Sequence, residues 1–75
     1  MIIIKRNSET KKFEVEKENA SAYDAAMLRM KTIARTSNDA YYISTLDETM
    51  SIKDILKETE DADTFQKNFK SIWAH

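Results

Sequence analysis

The chain contains neither glycine nor proline, and this double absence constrains it more than any motif does. Ordinary usage would supply roughly nine such residues over a chain of this length. Every turn must therefore be made by Asn, Asp, Ser and charged residues, which tolerate tight backbone for reasons of their own. Glycine-rich phosphate loops, dinucleotide fingerprints, nucleophile elbows and EF-hand loops are excluded, because each needs backbone that only Gly supplies without strain. The eight Ile and nine Lys that accompany this lack suggest an AT-rich coding source of the kind found in phages and other mobile elements.

With 75 residues there is room for one domain, residues 1–75, and no second core. A chain this short buries a modest share of its unfolded surface, so its stability is marginal or shared with a partner. No disulfide can reinforce it, since Cys is absent, and its single His, His75, cannot form a metal staple. Met1-Ile2-Ile3-Ile4 is the only apolar run at the start and Lys5-Arg6 ends it, which is too short for a signal or membrane segment. A cytoplasmic, membrane-free setting is the expectation.

Met1 to Lys17 reads as a β-hairpin. Ile2, Ile3 and Ile4 are β-branched and continuous, as in a central strand. Residues 11–17 alternate, with Phe13 and Val15 on one face and charges on the other. Asn7 to Thr10 connects the two, and Asn7 is the residue expected to take up a left-handed conformation. Ser21 and Asp24 then form a capping pair for a helix reaching about Thr36. Tyr23, Ala26, Met27, Met30, Ile33 and Ala34 give that helix an apolar stripe, expected to face the core. Ala40 to Leu46 is a third strand by residue type. Ser51, with Asp54, starts a helix from Ile52 to about Thr59, and Met50 can staple onto Ile55. Asp63 with Gln66 is expected to cap a last helix carrying Phe65, Phe69, Ile72 and Trp73 on one face, with Trp73 either a core anchor or an exposed contact.

The expected fold is α+β: a three-stranded antiparallel sheet in the order 2-1-3, with helices packed on one face, in the sequence β-β-α-β-α(α). A right-handed crossover places the third strand beside the first. The uncovered sheet face would then be the natural binding surface.

Chemistry is nearly excluded by residue type. General acid–base work most often uses His, and His75 is terminal. No Ser or Thr stands at a recognisable spacing from a base. The chain is thus expected to be a non-enzyme without cofactor. Glu58, Glu60, Asp61 and Asp63 could offer oxygen ligands, but caps and helix-dipole partners account for acids before a helix more simply.

Charge offers the remaining leads. Residues 1–37 carry a net charge of +3, residues 38–63 carry −6 and residues 64–75 carry +2. Lys5, Lys11 and Lys12 on the hairpin, with Arg29 and Arg35, could meet phosphates or an acidic partner. Asp61 and Asp63 belong to an acidic stretch suited to a basic one. Tyr41 and Tyr42 fall on opposite faces of one strand, so at least one should point away from the core, where Tyr suits an interface. The reading that follows is a small protein-binding regulator or inhibitor that occludes a site on a larger protein or complex. A nucleic-acid-binding domain using the basic hairpin is the first alternative, weakened by a pI near 5.8 and by Glu interleaved with the lysines. A structural homo-oligomer, such as a homodimer, is the second.

Overall fold

The computed structural model describes residues 1–73, so His75 lies outside the described residues. Strands β1 (Ile3–Arg6) and β2 (Phe13–Lys17) form the expected hairpin, followed by helix α1 (Ala22–Ile33) and strand β3 (Ala40–Ser44). Helices α2 (Ile52–Lys57) and α3 (Ala62–Asn68) come next, and a short strand, β4 (Phe69–Ser71), ends the order. The sheet runs β2-β1-β3-β4, with every pair antiparallel. The α+β class and the 2-1-3 arrangement are present, but the sheet has four strands rather than three.

The fourth strand comes from the segment expected to continue the last helix. Phe69 stands at the C-cap of α3 with extended backbone, φ −136° and ψ 138°. In a helix, Phe69, Ile72 and Trp73 would share one side. In an extended chain, Phe69 and Ile72 are three positions apart and point to opposite faces. Each thereby reaches a different core: Phe69 is 4% exposed and Ile72 2%. Strand pairing also satisfies the polar backbone along β3. Phe69 aligns with Ser44 and Lys70 with Ile43, and Ile72 N donates to the Tyr41 carbonyl at 3.1 Å. Trp73, expected as either a core anchor or an exposed contact, is 46% exposed.

Helices cover both sheet faces, not one. Ile3, Tyr41 and Ile72 pack with Ala20 and with Ala25 and Leu28 of α1. Ile2, Ile4 and Phe69 face the other way and pack with Ile55 of α2, with Phe13, Val15, Tyr42 and Phe65 around them. The Ile2-Ile3-Ile4 run requires this arrangement, since alternate side chains of a strand point to opposite sides and all three are at most 3% exposed. Among the described residues each sheet face therefore carries packed core, although at the hairpin end of the α1 side Lys5, Glu14 and Glu16 stay partly exposed.

Local chemistry fixes the helix starts. Ser21 and Asp24 make a reciprocal capping box on α1, and Ser51 accepts from Asp54 N on α2. The cap of α3 is Asp61, not the expected Asp63: its Oδ1 accepts from Asp63 N at 2.8 Å and Thr64 N at 3.2 Å. Asp61 stands two positions earlier, directly before the helix, so its carboxylate reaches two otherwise orphan N–H groups.

Candidate interaction surfaces

The residues singled out by the sequence separate into structural roles. Tyr41 is buried, and its hydroxyl lies 3.0 Å from Ser37 Oγ. Tyr42 is half-buried, edge-on to Phe65 with ring centroids 4.8 Å apart, and 6.1 Å from Phe13. Neither points away from the protein, contrary to expectation, because both faces of β3 are covered by helices.

The basic residues are dispersed. Lys5 sits opposite Glu14 in the hairpin and lies 3.8 Å from both Glu14 and Glu16, so its charge is offset in place. Lys11 and Lys12 are exposed at the hairpin tip, and Lys11 itself carries φ 61°. The left-handed residue of that loop is therefore Lys11, not Asn7. Asn7 does a different job: its Oδ1 accepts from the N–H groups of Glu9 and Thr10 at 2.8 and 3.1 Å. Arg29 is half-buried on α1, and its Nε is buried with no hydrogen-bond partner among the described residues. Arg35 is exposed just past the end of α1. These positions form no continuous basic stripe of the kind that tracks a phosphate backbone.

Asp61 and Asp63 are explained by their service to α3. Among the described residues no group of three or more His, Cys, Asp or Glu is arranged to hold a metal ion. A shallow cleft of about 480 Å³ between α2 and α3 is lined by Met50, Asp54, Lys57, Glu58, Glu60, Asp61 and Thr64. Its wide mouth and mixed charge suit solvent better than a ligand.

The surface that stands out was expected to be core. On α1, only Ala25 and Leu28 are buried. The stripe read from the sequence lies on nearly the opposite side of the helix and faces outward. Tyr23 is 72% exposed, Met27 42%, Met30 63% and Ile33 69%, with exposed Ala26 between them. The cause is geometric. Ala25 and Leu28, one turn apart, are the α1 side chains that pack against Ile3, Tyr41 and Ile72. Tyr23, Met27, Met30 and Ile33, at i, i+4, i+7 and i+10, lie on the other side of the helix and so point out. They form one ridge carrying on the order of 500 Å² of exposed surface, as large as the largest patch of an ordinary monomer. Two apolar sides on one helix are visible in the sequence; which side meets the sheet is not.

Charges frame this ridge. Along one flank a groove of about 180 Å³ is lined by Ile3, Glu16, Lys17, Asp24, Met27, Leu28 and Lys31. Lys17 Nζ and Asp24 Oδ1 are 2.9 Å apart there. The Asp24 carboxyl is held below its ordinary pKa, first by the Ser21 backbone N–H and then by Lys17. Glu18 and Asp24 stand at the start of the helix, where Lys17 pairs with Asp24, and Lys31 and Arg35 stand at its end.

No helix among the described residues is long and apolar enough to cross a membrane. No known family model, curated protein or solved structure matches this chain.

Proposed function

We propose that this chain is a protein-binding domain, a small regulator or inhibitor that acts by occluding a site on a larger protein through the outer face of α1. The observation that carries the reading is the ridge of Tyr23, Met27, Met30 and Ile33, left between 42% and 72% exposed on a helix that turns only Ala25 and Leu28 into the core. An apolar helical stripe at this spacing matches the way a helix seats in a partner's hydrophobic groove. Tyr offers contact area with few rotors, and Met adapts its shape to the surface it meets. Fully burying each large side chain contributes roughly 1.5–3 kcal/mol, before the costs of association. Action on this reading is by contact, without chemistry. The dispersed lysines and offset charge of the hairpin favour a protein over a nucleic acid as the partner.

A photo-crosslinking amino acid placed at position 30, and for comparison at position 14 on β2, tests this in cells of the source. Protein adducts are expected from position 30 and not from position 14, and Ile33→Glu should abolish them. Adducts to nucleic acid, or protein adducts from position 14 alone, would overturn the reading.

A further inference from the structure

We infer that when no target occupies the outer face of α1, a second copy of this chain covers it, the two helices packing antiparallel about a twofold axis between Met27 and Met30. The inference rests on the reading of this face as a protein-docking surface and names one occupant for it.

Self-complementarity of the ridge is the first ground. A twofold axis requires that what one copy offers, the other accepts. In the antiparallel arrangement Met27 meets Met30 of the second copy and the reverse, while Tyr23 packs toward the Ile33 end. Bulky groups thus meet along the whole ridge. The exposed stripe recurs at the three- and four-residue steps of a helix–helix seam.

Charge is the second, independent ground. Along the groove flank, Asp24 stands near the start of α1 and Lys31 near its end. Two antiparallel helices bring matching flanks together, so Asp24, which already holds Lys17 of its own chain at 2.9 Å, comes beside Lys31 of the second copy, twice by symmetry. Glu18 and Arg35 extend the same acid-to-base polarity beyond the two ends. The helix dipoles oppose one another favourably as well. A parallel pair would set like charges side by side at both ends.

Area is the third. Two ridges of on the order of 500 Å² each, with their rims, reach roughly the 1,000 Å² at which a specific interface begins. A dimer of this size is exchangeable, which fits a face that a target must later take over.

Sedimentation velocity from low to high micromolar concentration provides the test. A concentration-dependent dimer is expected. Met30→Glu should raise its dissociation constant by roughly a hundredfold or more, because a charge is forced into an apolar seam, and should leave the circular dichroism spectrum unchanged. Lys31→Glu, which keeps the ridge, should weaken the dimer by roughly tenfold and do so most at low salt. Because the chain has no Cys, single-cysteine variants report orientation. An equimolar mixture of the position-27 and position-30 variants should form disulfide-linked dimers on oxidation more completely than either variant alone, whereas cysteine at 23 or 33 alone should not link.

A strict monomer throughout this range overturns the inference, and so does linkage at 23 and 33 without linkage of 27 to 30. A monomer whose position 30 still crosslinks to a different protein leaves the docking face standing and removes only the second copy. Absence of both dimer and adducts removes both.

Discussion

Lys11 and Arg35 occupy left-handed backbone, with φ 61° and 58°, in a chain that has no glycine to put there. Arg35 follows the C-cap of α1 and completes a Schellman arrangement: its N–H donates to Thr32 O at 3.1 Å, and Thr36 N donates to Lys31 O at 3.0 Å. An L-residue with a Cβ is strained by about 1–2 kcal/mol in this region, while Gly gives back part of that through the greater freedom of its unfolded chain. Lys11→Gly and Arg35→Gly should each stabilise the fold by about 0.5–1 kcal/mol, read as a higher urea midpoint at unchanged slope, and the Ala variants should not.

Asp24 belongs to the same scale. Its carboxyl titrates below the ordinary value of 3.8 because the Ser21 N–H and Lys17 favour the ionised form. A folded pKa below the unfolded one means stability that is present above the unfolded pKa and lost as pH falls through the folded pKa. Asp47 is lowered as well, by the backbone N–H of Thr49, so a single acid titration of the protein mixes the two. The difference in melting temperature between the protein and Asp24→Asn isolates Asp24. It should be constant above about pH 5 and shrink as pH falls below the ordinary carboxylate range; a difference independent of pH would show that Asp24 contributes no linkage.

Among the elements, the α3–β4 junction carries the most consequence for its length. Phe65 ends up stacked on Phe69, with centroids 5.0 Å apart, although the helix stops between them. Phe65 also lies 5.1 Å from Phe13, so one ring links α3, β4 and the hairpin. Pairs of this kind contribute about 0.5–1.5 kcal/mol beyond burial. Phe69→Ala should cost about 3–5 kcal/mol, enough to leave a chain of this size largely unfolded. Phe69→Leu keeps most of the volume and should retain the fold with a lowered midpoint. A Phe69→Ala chain with an unchanged urea midpoint would show that the junction is not part of the core.

For the whole molecule, the decisive feature is that a sheet of short strands is packed on both faces by three short helices, α1, α2 and α3. So small a chain cannot bury every large apolar side chain it carries, and the surplus is concentrated on α1 rather than scattered. The exposed ridge of α1 follows from that limit, and the partner proposed above would cover it.

What the amino-acid order settles by itself is local. Ser21, Ser51 and the Asp61 region announce helix starts because a cap is made within three or four residues. The hairpin is legible because Phe13 and Val15 alternate with charge, and the 2-1-3 order because Ile2, Ile3 and Ile4 must lie at the centre of a sheet. The choices left open were between arrangements of comparable local quality. Phe65, Phe69 and Ile72 satisfy helical spacing, and only the free edge of β3 together with two separate cores makes the strand better. Tyr23, Met30 and Ile33 form the more regular stripe, yet Ala25 and Leu28 are the residues that meet Ile3, Tyr41 and Ile72. Periodicity states which residues share a side. Packing against the rest of the chain decides which side is turned inward, because that depends on distances no short stretch of sequence contains.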